Sequence, residues 1–269
     1  MDLRTLLIND AGRPRSGWRL ALFVLAFVGV FFILSSFLRV IYALTIYFGP
    51  GVSSRNLEDL GFRLLLVTSA LVAGYMCTRW LEGLPWRALG LWFHANWLRD
   101  LLIGSAIGFA SLALAVAIAG AGLSLSFSPI NMFPAVFKTL VFSAVLFIVA
   151  ALAEEALFRG YPLQTFSRAR LAWVGVLLTS LPFAAAHLDN PNAGSWLASA
   201  NTAMAGVWLA VAYLTTRSLL FPLGVHWGWN WALGSIFGLP VSGTTKLAPN
   251  PLMHGVDLGP VWLTGGDYG

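Results

Sequence analysis

The sequence predicts an all-α fold, a polytopic bundle of seven to eight transmembrane helices. Of its 269 residues, 58% are hydrophobic and only 10% are charged, and the mean hydropathy is +0.77. A soluble domain carries about 25% charged residues, because a folded protein in water must present a polar exterior. The composition therefore excludes a water-soluble globular domain, and it equally excludes an intrinsically disordered chain.

The apolar runs give the predicted helices in order. A bilayer core of about 30 Å requires roughly 20 apolar residues in a helix. Seven runs approach or reach this length: Trp18–Phe37, Phe62–Leu81, Leu101–Leu123, Phe133–Glu154, Leu171–Leu188, Trp196–Thr216 and Leu219–Leu239. The stretch Val40–Phe48 is also apolar, so we expect a long first helix, or an eighth element either there or in the tail.

No hydrophilic linker or internal repeat divides the chain, so the sequence predicts one integral membrane domain over residues 1–269. Residues 1–17 form its cytoplasmic N-terminus and are too polar for a signal peptide. Residues 133–239 supply the core helices in which catalytic residues are expected. Residues 240–269 form a tail rich in Gly and Pro, with too few apolar residues to span the membrane.

The arginines orient the bundle. They concentrate before the first run and after the second, fourth and sixth runs: Arg4, Arg13, Arg15, Arg19, Arg79, Arg87, Arg99, Arg159, Arg168, Arg170 and Arg217. The positive-inside rule therefore places the N-terminus in the cytoplasm. The net charge of +5 indicates contact with anionic membrane lipid and gives no reason to expect a nucleic acid partner.

Glu154 and Glu155 are adjacent carboxylates that follow an apolar run without a break. A carboxylate at the bilayer centre costs roughly 2.5–3.5 kcal/mol, so two of them need partners or a purpose. Glu155 and Arg159 have the i, i+4 spacing, with the acid first, that favours an ion pair on a helix. Glu154 has no cation at this spacing, so we expect it to be the carboxylate that takes part in chemistry.

Two of the four histidines lie in apolar runs. His187 ends the fifth run and His226 lies within the seventh. Phe183 precedes His187 by four residues and Asn230 follows His226 by four, so each pair shares a helix face. The residues alone leave three uses open, which are an active site, a polar network or ion path, and structural bonding.

These groups suit the hydrolysis of an amide by an activated water. A carboxylate and an imidazole can deprotonate the water, while a second imidazole and an amide stabilise the oxyanion. A metal bound by His187, His226 and Glu154 would do similar work. The chain contains neither HExxH nor GxSxG, so the corresponding zinc and serine hydrolase arrangements are absent from the sequence.

Three short segments together resemble a known family. Glu154-Glu155-Ala-Leu-Phe-Arg159, Phe183-Ala-Ala-Ala-His187 and His226-Trp-Gly-Trp-Asn230 resemble the EExxxR, FxxxH and HxxxN/D motifs of the CPBP family of intramembrane proteases. That family includes the CAAX prenyl endopeptidases and bacterial relatives linked to bacteriocin processing or immunity. The resemblance covers roughly residues 133–239, and the three motifs have the family's order on separate helices.

The resemblance implies an intramembrane endopeptidase that hydrolyses a peptide bond of a membrane-associated or prenylated, CAAX-like substrate. Glu154 would activate the water with help from His187, and His226 and Asn230 would form the oxyanion site. The implied supporting residues are Glu155, Arg159 and Phe183. Non-proteolytic alternatives are a membrane scaffold or bacteriocin-immunity-type protein, and an ion-coupled transporter, although the repeated halves typical of transporters are not evident.

Relatives of this kind are often catalogued as metalloproteases, yet the same residues serve a mechanism without a metal. We favour the metal-free version, because two histidines and one glutamate would form a sparse zinc shell without carboxylates to orient the imidazoles. The expected partners are membrane lipid and a peptide or lipidated protein. The expected location is a bacterial inner (plasma) membrane, because the loops and termini are short.

If Glu154 and His187 activate the same water, which we call the shared-water mechanism, the two side chains must lie close together in the membrane. If the fifth helix begins near Leu171, His187 lies about 24 Å along it, whereas Glu154 lies much nearer the cytoplasm. The mechanism therefore requires that the fourth helix continue past Arg159, that the fifth begin deep in the membrane, or that Pro182 kink the fifth helix.

Overall fold

The computed structural model describes residues 6–48, 55–122, 124–130 and 132–269. Its helices are α1 (Ser16–Phe48), α2 (Arg55–Leu81), α3 (Trp97–Ala121), α4 (Phe133–Glu155), α5 (Tyr161–Arg168), α6 (Ala172–Ala185), α7 (Trp196–Thr216), α8 (Leu220–Trp231) and α9 (Val261–Thr264). Two π-helical turns cover Ala156–Gly160 and Ala232–Ile236, and a 3-10 turn covers Trp86–Leu89. The strands are β1 (Leu125–Pro129) and β2 (Met253–Asp257).

The predicted helical membrane bundle is confirmed. Each of the seven apolar runs contains a helix, because a chain in lipid must satisfy its backbone hydrogen bonds internally. In the described part of the chain, five helices are long and apolar enough to cross a membrane: α1, α2, α3, α7 and the continuous helix Phe133–Arg168. The protein is therefore an integral membrane protein. The first helix is long, as expected, because α1 includes Val40–Phe48.

The chain forms two compact units. The first contains Met1–Trp92 and Leu152–Gly175, and the second contains Phe93–Ala151 and Val176–Gly269. Helices α4 and α6 each contribute residues to both units. The single membrane domain proposed for residues 1–269 stays a prediction.

An aromatic core fixes α5 in the first unit. Phe23 of α1 stacks on Tyr161 at the start of α5, with their ring centroids 5.6 Å apart. Ala73 and Cys77 of α2 and Leu89 complete this buried cluster. The segment that follows Glu154 and Glu155 is thus anchored by packing against α1 and α2.

Close packing of glycines joins α3 and α8 in the second unit. Gly104 and Gly108 of α3 face Gly224 and Gly228 of α8, and a Cβ on any of the four would overlap a backbone carbonyl oxygen of the facing helix. Such small-xxx-small patterns allow membrane helices to approach closely. His226 lies two residues from each α8 glycine and therefore points roughly away from the glycine face.

The C-terminal tail is part of the second unit. Its strand β2 pairs antiparallel with β1, with Phe127 opposite Gly255, and Phe127 also contacts the ring of Phe237 at 5.7 Å between centroids. This two-stranded sheet is an addition to the predicted all-α fold. Its partners are about 130 residues apart in sequence, so a local pattern could not have indicated the pairing.

Candidate active site

Glu155 and Arg159 form the ion pair that their spacing predicts. Arg159 Nη1 donates a hydrogen bond to Glu155 Oε1 at 3.1 Å, and both side chains are fully buried. Glu154 is only partly buried. The two adjacent carboxylates therefore differ, because Glu155 is committed to a buried charge pair while Glu154 retains some exposure.

The helix that carries this pair does not end there. The π-helical turn Ala156–Gly160 leads directly into α5, and the helix is continuous from Phe133 to Arg168. Pro162 explains the change in winding, since it has no N–H and its ring clashes with the carbonyl four residues earlier in a regular α-helix. The shared-water mechanism requires one of three alternatives. The first of them is therefore confirmed, because the fourth helix continues past Arg159.

The end of α6 fixes the orientation of the His187 imidazole. The helix ends at Ala185, and the backbone N–H of His187 donates to the carbonyl oxygen of Ala184, not to that of Phe183. The carbonyl oxygen of Phe183 lies 2.8 Å from the side-chain nitrogen Nδ1 of His187. Because a carbonyl can only accept, we assign the hydrogen to Nδ1, which makes Nε2 the nitrogen that can accept a proton.

Phe183 contacts both imidazoles. The centroid of its ring lies 4.8 Å from that of His187 and 6.2 Å from that of His226, which it meets edge-on. The Phe183 side chain is buried, and His226 is also buried. Phe183, which we expected on the same helix face as His187, therefore also borders the second histidine.

His187, His226 and Asn230 line one cavity of about 790 Å³ in the second unit. Much of its wall is apolar and includes Trp208 and Trp229. A space of this size accommodates a drug-sized molecule or a short stretch of peptide. Three of the four predicted catalytic residues are thus brought together within one unit, whereas Glu154 belongs to the other unit.

Indole hydrogen bonds hold the other side of α8 against α4. Trp227 Nε1 donates to the Ala144 carbonyl at 3.0 Å, and Trp231 Nε1 donates to the Leu140 carbonyl at 3.1 Å. These bonds and the glycine face fix the rotation of α8, and so direct His226 towards the cavity. The sequence analysis predicted neither the glycine packing nor the indole hydrogen bonds. The G-x-x-x-G pattern in two apolar runs was a usable signal for the glycine packing.

A second charged cluster surrounds Glu82 in the first unit. Glu82 directly follows α2, and its side chain is only 2% exposed and accepts from Arg19 Nη1 at 2.8 Å and from Thr165 Oγ1 at 2.5 Å. Arg168 Nη2 lies 2.6 Å from the same carboxylate, and Arg13 donates to the Glu82 backbone carbonyl. No local pattern reveals this cluster, because its members come from distant parts of the chain.

The described side chains provide no cluster of three metal ligands. Within residues 6–48, 55–122, 124–130 and 132–269, no group of three or more His, Cys, Asp or Glu side chains is arranged to hold a metal ion. The described side chains therefore do not form a complete zinc shell of the usual kind.

Two comparisons with known proteins cover the motif-bearing part of the chain. Residues 136–232 match the family model for type II CAAX prenyl endopeptidase Rce1-like proteins. An uncharacterized 24.3 kDa protein of Escherichia coli is 39% identical over 108 residues, which are 39% of this chain and 46% of that protein. The chain thus matches less than half the length of this relative.

No solved structure matches this chain. The matched segment contains the complete EExxxR, FxxxH and HxxxN/D motifs. The predicted resemblance is thereby confirmed over residues 136–232, which match the Rce1-like type II CAAX prenyl endopeptidases.

Proposed function

We propose that this protein is an intramembrane endopeptidase that hydrolyses a peptide bond of a membrane-associated or prenylated, CAAX-like substrate. The observation that carries the proposal is the grouping of His187, His226 and Asn230 on one cavity, inside the segment that matches the Rce1-like family. Ionisable side chains in membrane helices are costly, so their convergence on a cavity favours a functional role.

Glu154 and His187 activate the attacking water in this proposal. Glu154 is partly exposed, while Glu155 is committed to Arg159, so Glu154 is the better general base of the two. His187 assists through Nε2, since its Nδ1 hydrogen bonds to the Phe183 carbonyl. The imidazole is thereby held in one tautomer, as a proton-transfer group requires.

The continuation of the fourth helix past Arg159 supports this part of the proposal. It is one of the three arrangements under which the sequence allows Glu154 and His187 to activate the same water.

His226 and Asn230 stabilise the oxyanion in this proposal. The water oxygen bonds to the scissile carbonyl carbon, and negative charge develops on the carbonyl oxygen. The C–N bond then breaks, and the proton taken from the water passes to the leaving nitrogen. His226 and Asn230 are four residues apart on α8 and line the same cavity, so both can donate to one oxyanion.

Replacement of Glu154 by Gln tests this function. We expect new N- or C-terminal peptides of membrane proteins in cells that carry the wild type. These peptides should be absent from cells that carry Glu154→Gln at equal expression, because the amide cannot accept the proton of the water. The control is Asp10→Asn, which removes an exposed carboxylate near the N-terminus and should leave the termini unchanged. Identical termini in wild type and Glu154→Gln, with a phenotype retained in both, would instead favour the scaffold or immunity function.

The proposed mechanism uses no metal, and a zinc-dependent mechanism is its alternative. We expect cleavage by purified protein to continue after treatment with 1,10-phenanthroline, because the water is activated by a carboxylate and an imidazole. Loss of cleavage on chelation, with recovery on addition of zinc, would replace Glu154 as the primary activator by a metal ion.

We further propose that the protein lies in a bacterial inner membrane with its N-terminus in the cytoplasm. The distribution of arginines supports this orientation, and three of them converge on Glu82 in the first unit. The comparison of protein termini between wild type and Glu154→Gln also tests the location. Termini that depend on Glu154 must then belong to proteins of the bacterial inner membrane.

A further inference from the structure

Asn201 lies on the wall that α7 contributes to the cavity. The cavity-lining stripe of α7 runs through Leu197, Asn201, Ala205 and Trp208, which are spaced by three or four residues and share one helix face. Asn201 is the one carboxamide of this stripe. It faces the same cavity as His226 and Asn230 of α8.

The Asn201 side chain has no structural hydrogen bond in the part of the chain that the structure describes, and it is exposed. The adjacent Thr202 differs, since it donates to the Ala198 carbonyl at 2.8 Å and lies 3.2 Å from the Tyr268 hydroxyl. A carboxamide on a membrane-spanning helix is costly unless it meets another polar group. Thr202 meets this requirement within the protein, whereas Asn201 presents its donors and acceptor to the cavity.

The chemistry of a carboxamide restricts what Asn201 can recognise. It offers an N–H donor and a carbonyl acceptor side by side, which complement the C=O and N–H of an extended main chain. An isoprenoid or acyl chain provides neither group and would leave the amide unsatisfied. The apolar neighbours Leu197, Ala205 and Trp208 can receive the side chains of the same peptide.

We propose that Asn201 is a substrate-binding residue that hydrogen-bonds the main chain of an extended peptide in this cavity. By holding the main chain on α7, it determines which peptide bond reaches His226 and Asn230 on α8. This inference rests on the proposed endopeptidase function. It adds that the occupant of this part of the cavity is peptide main chain.

Cleavage in cells provides the first test. Asn201→Leu preserves the approximate shape and removes the hydrogen bonds, and Ser199→Leu is the matched control on the same helix, outside the cavity lining. We expect Asn201→Leu to reduce the Glu154-dependent termini about tenfold or to move the cleaved bond, whereas Ser199→Leu behaves as wild type. Both variants should keep the wild-type melting temperature. Unchanged termini with Asn201→Leu would overturn the inference while leaving the endopeptidase function intact.

Photo-crosslinking separates the two proposals. Benzoylphenylalanine replaces Ala205 in the Glu154→Gln background, and the probes are a biotinylated peptide whose C-terminal tetrapeptide begins with a farnesylated cysteine, and the same peptide without the lipid. We expect Asn201→Leu to lower the capture of both probes by the same factor, because the main chain is common to them. Equal capture by the protein with Asn201 and by the Asn201→Leu variant overturns the inference. Absence of capture by both proteins also overturns it. Because capture requires no cleavage, it decides the role of Asn201 even if no Glu154-dependent termini appear.

Discussion

The helix that carries EExxxR and the helix that carries HxxxN/D are fixed in different ways. A π-helical turn follows each of them, Ala156–Gly160 in one case and Ala232–Ile236 in the other. The first helix is held by the stacking of Tyr161 on Phe23 and by the contact of Arg168 with the Glu82 carboxylate, and it contains the buried ion pair of Glu155 and Arg159 within itself. The second is held by close packing on α3 and by indole hydrogen bonds to α4.

The difference reflects the two means by which membrane helices can associate. Lipid tails are as apolar as leucine side chains, so burial of apolar surface gives little drive for helices to pack on each other in the bilayer. The two remaining means of helix association are pairing between polar side chains and close approach of the backbones through small residues. A helix fixed by charges should be sensitive to the loss of one charge, and a helix fixed by glycines should be sensitive to added volume.

The largest expected effect comes from breaking the buried pair. Arg159→Leu leaves Glu155 buried without the cation that donates to it, which should lower the free energy of unfolding by about 3–5 kcal/mol. The double variant Glu155→Leu/Arg159→Leu should recover most of this loss, because no buried charge then remains. Thermal unfolding in detergent measures both, with the exposed Arg99→Leu as control. A single variant no less stable than that control would show that the buried pair does not contribute to stability.

A smaller effect is expected from added volume at the α3–α8 contact. Gly108→Ala places a Cβ against the Val225 carbonyl oxygen, and the strain should cost about 1–3 kcal/mol. Gly120→Ala is the control on the same helix, because no atom lies within 4 Å of a Cβ there. The same unfolding measurement compares them, and equal stability of the two variants would contradict the close-packing account.

The smallest effect is expected at the indole bonds of α8. Trp227→Phe removes the donor to the Ala144 carbonyl but retains an aromatic ring that can stack on Trp231. Hydrogen bonds between membrane helices contribute about 0.6 kcal/mol on average, so the loss in unfolding free energy should be of that size. A loss as large as that for Gly108→Ala would show that the indoles, rather than the glycines, dominate the position of α8.

Residue spacing predicted the local part of the candidate site. The i, i+4 rule predicted the contact between Glu155 and Arg159, and it also placed Phe183 beside His187, because both relations lie within a single helix or its last turn. The Glu82 cluster was not predictable in this way, since Arg19 and Arg168 approach it from α1 and from the end of α5. The orientation of Asn201 towards the cavity likewise depends on what packs around α7.

The sequence by itself determined the membrane class, the positions of the helices and the motifs that match the Rce1-like family. It could do so because an apolar run in lipid has to close its own backbone hydrogen bonds, which makes the helix a local property. The tertiary structure alone decided that the tail pairs with β1, that Glu82 is buried, and that His187, His226 and Asn230 share a cavity. Those contacts join residues far apart in sequence, and they depend on how side-chain shape and charge fit between helices rather than on any periodicity along one helix.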